Sequence, residues 1–454
     1  MKRHFWRQAL HLEPPTGWLN DPNGLAWFGG KYHAFFQYCP QSAQGRGPKC
    51  WGHYESPDLV NWTFTGAPLQ PGGPCDRGDA YSGSAAEENG TLWLYYTGNY
   101  KAPGQHDYIL TGRDHNTLRV AFDGRACVWE KQLLLSNADY PEDCTLHVRD
   151  PKVWQGADGV WRMVLGARGR DNTGRVLLYH GPDGARWTLA RVLAKPDFGY
   201  MWECPDCFEL DGRWYLSASP QGLDHGEIRY QNVYQSGYFP LAGDPETGEL
   251  LDFYEWDMGF DFYAPQTFLA PDGRRLLIAW MGMPDADYHN PTAALGWQHC
   301  LTLPREVFPA PDGRLCQRPA RELDALCGNF SPLPDALDLA APLRLRGKTH
   351  GPARLALGGL VLDFDPAGLC TLSFADDSGA GRDLRRMPVE PGPVTFDIWA
   401  DRSGVEIFLN GGRTVAATRF YPPEGPLPLR AQGVQAEYAP LTCPEIQELS
   451  CVFL

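Results

Sequence analysis

Five times along the chain a turn glycine runs straight into an apolar, strand-like stretch, and this recurrence limits the possible folds more than any other feature. The turn pairs are Gly29-Gly30, Asn89-Gly90, Asp158-Gly159, Asp211-Gly212 and Asp272-Gly273, followed by KYHAFFQY, TLWLYYTG, VWRMVLGA, RWYLSAS and RRLLIAWMG. Glycine, and at some cost Asn or Asp, adopts the positive φ that tight hairpin turns need. The turn glycines lie 60, 69, 53 and 61 residues apart, too far for single hairpins and right for a four-stranded unit with generous loops. Five such units predict a five-bladed β-propeller, in which the innermost strands surround a common axis.

The same count places chemistry on that axis. Nine residues before Gly30, Gly159 and Gly212 stand Asp21, Asp150 and Glu203; eight before Gly90 stands Ser82, and nine before Gly273 stands Ala264, beside Tyr263. Three acids at one address in three blades put like charges together, which costs stability and is kept mainly for function. Each acid alone has an ordinary explanation: Asp21 in Asn20-Asp21-Pro22-Asn23-Gly24 as a turn former, Asp150 as the ion-pair partner of Arg149, Glu203 as a strand-edge charge. It is their common phase that favours a site.

Composition sets the outer limits. At 454 residues the chain exceeds one ordinary core, and 50 Gly, 40 Pro and 57 aromatic residues suit short strands and tight turns, so the expected class is all-β with little helix. The propeller is expected over residues 1–318, a proline-rich connector over 319–342, and a β-sandwich over 343–454, where LVLDFD, LCTLSFAD, VTFDIWAD and VEIFLN alternate around Asn410-Gly411. The sandwich holds no acid cluster and is expected to support rather than to catalyse. A net charge of −15 argues against nucleic acid or an anionic membrane as partner, leaving a partner that is neutral or small. No run of 18 apolar residues and no secretory leader are visible, so a cytoplasmic protein is expected. Thirteen scattered cysteines fit reduced thiols; Cys204-x-x-Cys207 lacks a second pair, so neither metal nor cofactor is expected.

Paired carboxylates among aromatic residues suit glycosidic bond cleavage, one acid attacking the anomeric carbon and the other protonating the leaving oxygen. Asp21, beside Asn20 and turn amides and near Arg149, is expected to stay ionised as nucleophile. Glu203, beside Trp202 and facing other carboxylates, is expected to be the acid, with Asp150 binding sugar hydroxyls and held by Arg149.

These residues resemble glycoside hydrolase family 32, the invertases and fructan hydrolases, over nearly the whole chain. The resemblance rests on Trp18-Leu19-Asn20-Asp21-Pro22-Asn23-Gly24, Phe36-Gln37-Tyr38 with Trp51-Gly52-His53, Ser82-Gly83-Ser84, Arg149-Asp150-Pro151, Glu203-Cys204-Pro205-Asp206 and Ile278-Ala279-Trp280-Met281-Gly282. It implies a propeller followed by a β-sandwich, with a retaining mechanism through Asp21 as nucleophile, Glu203 as acid/base and Asp150 as transition-state stabiliser. It further implies that Asn20, Gln37 and Ser82 bind fructosyl hydroxyls and that Trp51, Arg149, Tyr263 and Trp280 are also substrate-binding residues. The implied activity is hydrolysis of the terminal β-D-fructofuranosyl bond of sucrose, sucrose 6-phosphate or short fructo-oligosaccharides, with the catalytic carboxyls about 5 to 5.5 Å apart. The alternatives are a fructosyltransferase or exo-fructanase on the same scaffold, or a non-catalytic carbohydrate-binding propeller. The chain departs from the family pattern at Cys39, at Tyr81, and in the loop 41–50, which lacks the tryptophan many members carry.

Overall fold

The structure, a computed structural model, describes residues 4–128, 130–444 and 446–448. Strands dominate, and the helical turns among the described residues are four short 3-10 segments. None of the described helices is long and apolar enough to cross a membrane.

Five antiparallel sheets, each opening on a strand whose start faces the axis, form the propeller. Those inner strands are Gly17–Phe28, Asp79–Glu88, Cys144–Gln155, Met201–Leu210 and Tyr263–Leu269. The five turn glycines carry φ of 79, 78, 80, 76 and 83° in chain order. In blades one, two and four the preceding residue (Gly29, Asn89, Asp211) is also left-handed, the two-residue turn that matches strand twist. Blades three and five use longer loops between Gln155 and Trp161 and between Leu269 and Arg275. Trp297–Gln298, which lies between the second and third strands of blade five, pairs in parallel with Gly17 and Trp18 and so ties blade five to blade one.

Every inner strand is interrupted at one level. Register breaks fall between Leu19 and Pro22, Tyr81 and Gly83, Arg149 and Lys152, Glu203 and Asp206, and Tyr263 and Gln266. These are β-bulges, where extra residues leave the ladder and re-aim side chains. Proline cannot donate to a ladder and therefore settles at such breaks; Pro22, Pro151, Pro205 and Pro265 occupy four of the five. Blade two uses Gly83 instead, where a Cβ would stand 2.0 Å from the Tyr95 carbonyl oxygen. Asp150, Cys204 and Ala264 take left-handed φ of 64, 46 and 50°, local strain paid at the same point of three blades.

The second part is a sandwich built on the long strand Leu343–Leu357, which pairs along one edge with Leu360–Asp365 and Thr395–Ala400 and along the other with Leu427–Pro440. Leu345, Leu355, Leu362, Leu372, Phe396, Ile398 and Ile407 form its buried core. Part of the stretch expected to act as connector joins this sheet instead: Ser331–Pro332 and Ala336–Leu339 both pair with Leu427–Pro440. The C-terminal Gln447–Glu448 also leaves the sandwich, pairing in parallel with blade one at Thr63 and Phe64.

Charged side chains with no solvent exposure join the two parts. Arg305 of the propeller bonds Glu406 of the sandwich at 2.7 Å and Asp257 at 3.1 Å. Arg382 of the sandwich grips Asp261 through two bonds of 2.7 and 2.8 Å. The N-terminal segment completes the seam: the backbone N–H groups of Ala9, Leu10 and His11 donate to Asp401, and the His11 ring contacts Asp401 at 2.9 Å and Glu406 at 3.1 Å.

Candidate active site

The bulges assemble the site. A regular strand turns consecutive side chains to opposite faces, but where the ladder is broken two neighbours face one cavity. Asn20 with Asp21, Tyr81 with Ser82, and Arg149 with Asp150 all line a single cavity of about 450 Å³ at the propeller mouth, joined by Glu203 and Tyr263. The register also corrects the count made from the turns: Glu203 is the last paired residue before its bulge, as Arg149 and Tyr263 are, so Cys204 holds the position equivalent to Asp150. The two-residue turn of blade four and the longer loop of blade three offset the count by one.

Asp21 ends a polar relay. Trp18 Nε1 donates to Asn20 Oδ1 at 2.8 Å, Asn20 Nδ2 lies 3.4 Å from Gln37 Oε1, Gln37 Nε2 donates to Ser82 Oγ at 2.9 Å, and Ser82 Oγ donates to Asp21 Oδ2 at 2.5 Å. Burial pushes the Asp21 carboxyl above the ordinary range, the Ser82 bond opposes this, and the charge of Glu203 adds to it. Asp150 accepts the Cys204 N–H at 2.9 Å and donates its own N–H to Thr97 Oγ1 at 2.9 Å. Burial pushes its carboxyl up to about 7, against Arg149 and with help from Glu203 and Asp21. The Cys204 thiol lies 3.7 Å from both Asp21 Oδ2 and Asp150 Oδ2, so the two carboxylates share one small neighbour. Burial holds that thiol well above its usual pKa, which keeps it protonated.

Glu203 receives the donors. Arg149 bonds Oε1 through Nη2 at 2.5 Å and Nε at 3.2 Å, while Tyr263 Oη at 2.6 Å and Gln221 Nε2 at 2.7 Å reach Oε2. This reverses the contacts expected from the sequence. Arg149 was expected near Asp21 and as the holder of Asp150; its guanidinium approaches Asp150 only to 3.8 Å and extends past it to Glu203. A long flexible side chain takes its partner from the neighbouring blade, which chain adjacency does not reveal.

Other expected residues divide. Asn20, Gln37, Ser82, Tyr263 and Trp280 line the cavity. Trp280 stands edge-on to Tyr263 and Trp18, with centroids 6.2 and 5.9 Å away, and His299 packs edge-on behind both tryptophans. Trp51 is a correction: it has no solvent exposure, donates Nε1 to the Tyr81 carbonyl at 3.0 Å and packs on Phe35 and Tyr96, so it backs the wall and does not touch a ligand. His53 of the same motif is also buried, against Phe35 and His33. Missed were Trp18, Tyr81, Arg113 and Gln221, together with Gln44 and Gly45 of the tryptophan-free loop, whose Lys49 also lines the cavity. The paired facing of bulge neighbours could have found Tyr81, whereas Gln221 and Arg113 come from outer strands that carry no such signal. Among the described residues no group of three or more His, Cys, Asp or Glu could hold a metal ion, and all twelve described cysteines are free.

The chain is similar to known proteins over most of its length. Family models for the glycosyl hydrolases family 32 N-terminal domain and the glycosyl hydrolases family 32 C terminal match residues 11–319 and 370–442. A raffinose invertase of Escherichia coli is 40% identical over 448 residues, spanning 92% of this chain and 90% of that protein. A sucrose-6-phosphate hydrolase of Bacillus subtilis (strain 168) is 38% identical, spanning 92% and 89%. Among solved structures, a sucrose-6-phosphate hydrolase from Lactobacillus gasseri matches with a TM-score of 0.88 at 29% identity, covering 97% of this chain and 94% of that one.

Proposed function

Since the chain belongs to glycosyl hydrolase family 32, we propose that it is a β-fructofuranosidase that hydrolyses the fructosyl bond of sucrose or sucrose 6-phosphate through a fructosyl-enzyme intermediate. One observation carries the reading: carboxylates from three blades meet at one cavity, and among the described residues the one cation hydrogen-bonded to any of them, Arg149, sits on Glu203. Asp21 is the nucleophile. Its Oδ2 is oriented by Ser82, and the relay behind it offers amide and hydroxyl groups for the fructosyl hydroxyls. Burial makes the ionised Asp21 more reactive toward the anomeric carbon, because a desolvated carboxylate is a better nucleophile than a hydrated one.

Glu203 protonates the departing oxygen, then takes a proton from the water that releases fructose. Arg149, Tyr263 and Gln221 fix both of its oxygens, so the proton is delivered along one direction. Asp150, anchored by the Cys204 amide, binds sugar hydroxyls whose hydrogen bonds tighten as positive charge develops on the ring.

The test is Asp21→Asn and Glu203→Gln with sucrose and sucrose 6-phosphate as substrates. Each substitution lowers kcat by roughly 10² or more, and the first-formed fructose of the wild type keeps the β configuration by NMR. Turnover at the wild-type rate in either variant removes its assigned role, and an inverted product removes the covalent intermediate.

A further inference from the structure

The mouth of the cavity holds cations that the proposed chemistry leaves unused. Arg113, first residue of the strand Arg113–Phe122 in blade two, lines the cavity, yet among the described residues no carboxylate lies within ion-pair distance of it. Its Nη1 stands 3.5 and 3.4 Å from the two ring nitrogens of His147, and its Nε is buried without a hydrogen-bond partner. His147 offers no charge in return. Burial and the flanking Arg149 and Arg113 push its pKa down to about 2, and its Nδ1 accepts from Arg149 at 2.7 Å while its Nε2 donates to the Tyr108 carbonyl at 3.0 Å. Two guanidinium groups thus bracket one neutral imidazole. Lys49 lines the same cavity, with the Gly45 carbonyl as partner of its Nζ and, among the described residues, no carboxylate in ion-pair reach. In a chain of net charge −15 two cations without a direct ion pair do not follow from composition, and although Asp79 acts on Arg113 from beyond contact distance, a half-buried cation with no carboxylate against it is costly.

Its direction identifies what would complete it. The fructosyl unit belongs beside Asp21, Gln37 and Ser82, so the leaving sugar lies on the side of Glu203. From Glu203 the contacts run outward to Arg149, His147 and Arg113. A leaving hexose pointing toward solvent along that file meets Arg113 with its far end. The planar guanidinium fork matches a phosphate oxygen pair, and an ammonium supplies a second charge.

We propose that Arg113 and Lys49 form a receptor for a phosphomonoester on the leaving hexose, making sucrose 6-phosphate the preferred substrate over sucrose. The assignment rests on Glu203 being the group that meets the leaving oxygen. Two measurements test it, kcat/KM on both substrates and calorimetric binding of glucose 6-phosphate, glucose and inorganic phosphate, for the wild type, Arg113→Gln and Lys49→Gln. Wild type is expected to favour sucrose 6-phosphate and to bind glucose 6-phosphate more tightly than glucose, each by about tenfold or more. Each substitution should reduce kcat/KM on sucrose 6-phosphate by ~10- to 100-fold more than on sucrose, and should weaken glucose 6-phosphate binding while leaving that of glucose the same. Equal kcat/KM on the two substrates in the wild type, or equal losses on both in the Arg113 variant, overturns the receptor. Tight, Arg113-dependent binding of glucose 6-phosphate without turnover of either substrate would sustain the receptor and defeat the function proposed above. Lys49→Gln keeps the question open to decision should Arg113→Gln fail to fold, since Lys49 stands on a surface loop.

Discussion

Asp150→Asn should stabilise the protein while disabling it. The Asp150 carboxyl rises from 3.8 to about 7 because burial outweighs the opposing charge of Arg149, with Glu203 and Asp21 adding repulsion. A carboxyl whose folded pKa exceeds its unfolded value binds protons more tightly when folded. Its ionisation therefore costs nothing below about pH 4, costs progressively more up to about pH 7, and a constant amount above. A gap of about three pH units corresponds to ~4 kcal/mol. Asparagine keeps an acceptor for the Cys204 amide but loses the charge assistance, about 1 kcal/mol, which leaves a gain of ~3 kcal/mol. Unfolding entropy for 454 residues is about 1 kcal/mol per kelvin, so Tm should rise by ~3 °C at neutral pH. Thermal melts of both proteins from about pH 4 to 8 give the check: the difference should be near zero at the acid end, grow, and level off, while kcat falls by roughly 10²- to 10³-fold. A variant less stable than wild type at neutral pH, or an increment that does not change with pH, would refute the account.

The seam between the two parts gives the opposite pH sign. Burial alone would lower the His11 pKa, but hydrogen bonds and charge from Asp401 and Glu406 raise it to about 9. A raised histidine pKa contributes stability that is complete below about pH 6.5 and lost as pH passes about 9, here ~3 kcal/mol. Urea titrations at about pH 7 and 9.5 should show that loss in the wild type, and a flat response in His11→Gln; a steep response in both rejects it. Trp51→Ala should cost about 3 to 5 kcal/mol of stability by leaving a cavity behind the pocket wall, and Trp51→Phe much less, with KM for sucrose little changed in the folded fraction. A large rise in KM in the well-folded Phe variant would return Trp51 to the binding surface.

The sequence carried the scaffold well because the scaffold is made of local signals. A left-handed glycine and an alternating apolar run are short-range features, and five copies of them specify blades, axis and inner strands. Asp21, Asp150 and Glu203 were legible for the same reason, since position along an inner strand sets height on the axis. What was lost depends on reach. Arg149 crosses to Glu203, Gln221 arrives from the far end of a second strand, and Arg113 from a third, none at a fixed interval from a turn. Trp51 reads as a ligand platform in its motif, yet strand pairing opposite Gln37 turns it into the core between blades one and two. Ser331–Pro332 and Ala336–Leu339 read as connector because proline-rich residues seldom form strands, and they pair only at an edge, where a missing donor is tolerated.

The fully dry ion pairs joining Arg305 to Glu406 and Arg382 to Asp261 mean that the front and back halves are not interchangeable modules. A gene fragment ending after the last blade would translate into a propeller with Arg305 stripped of one anchor and Asp261 of the Arg382 guanidinium that clamps it. The cost falls on each fragment, because a charge left bare in a former interior is penalised far more than the intact pair rewards. Grafting this propeller onto another tail would accordingly require transplanting the receiving acids and arginines with it.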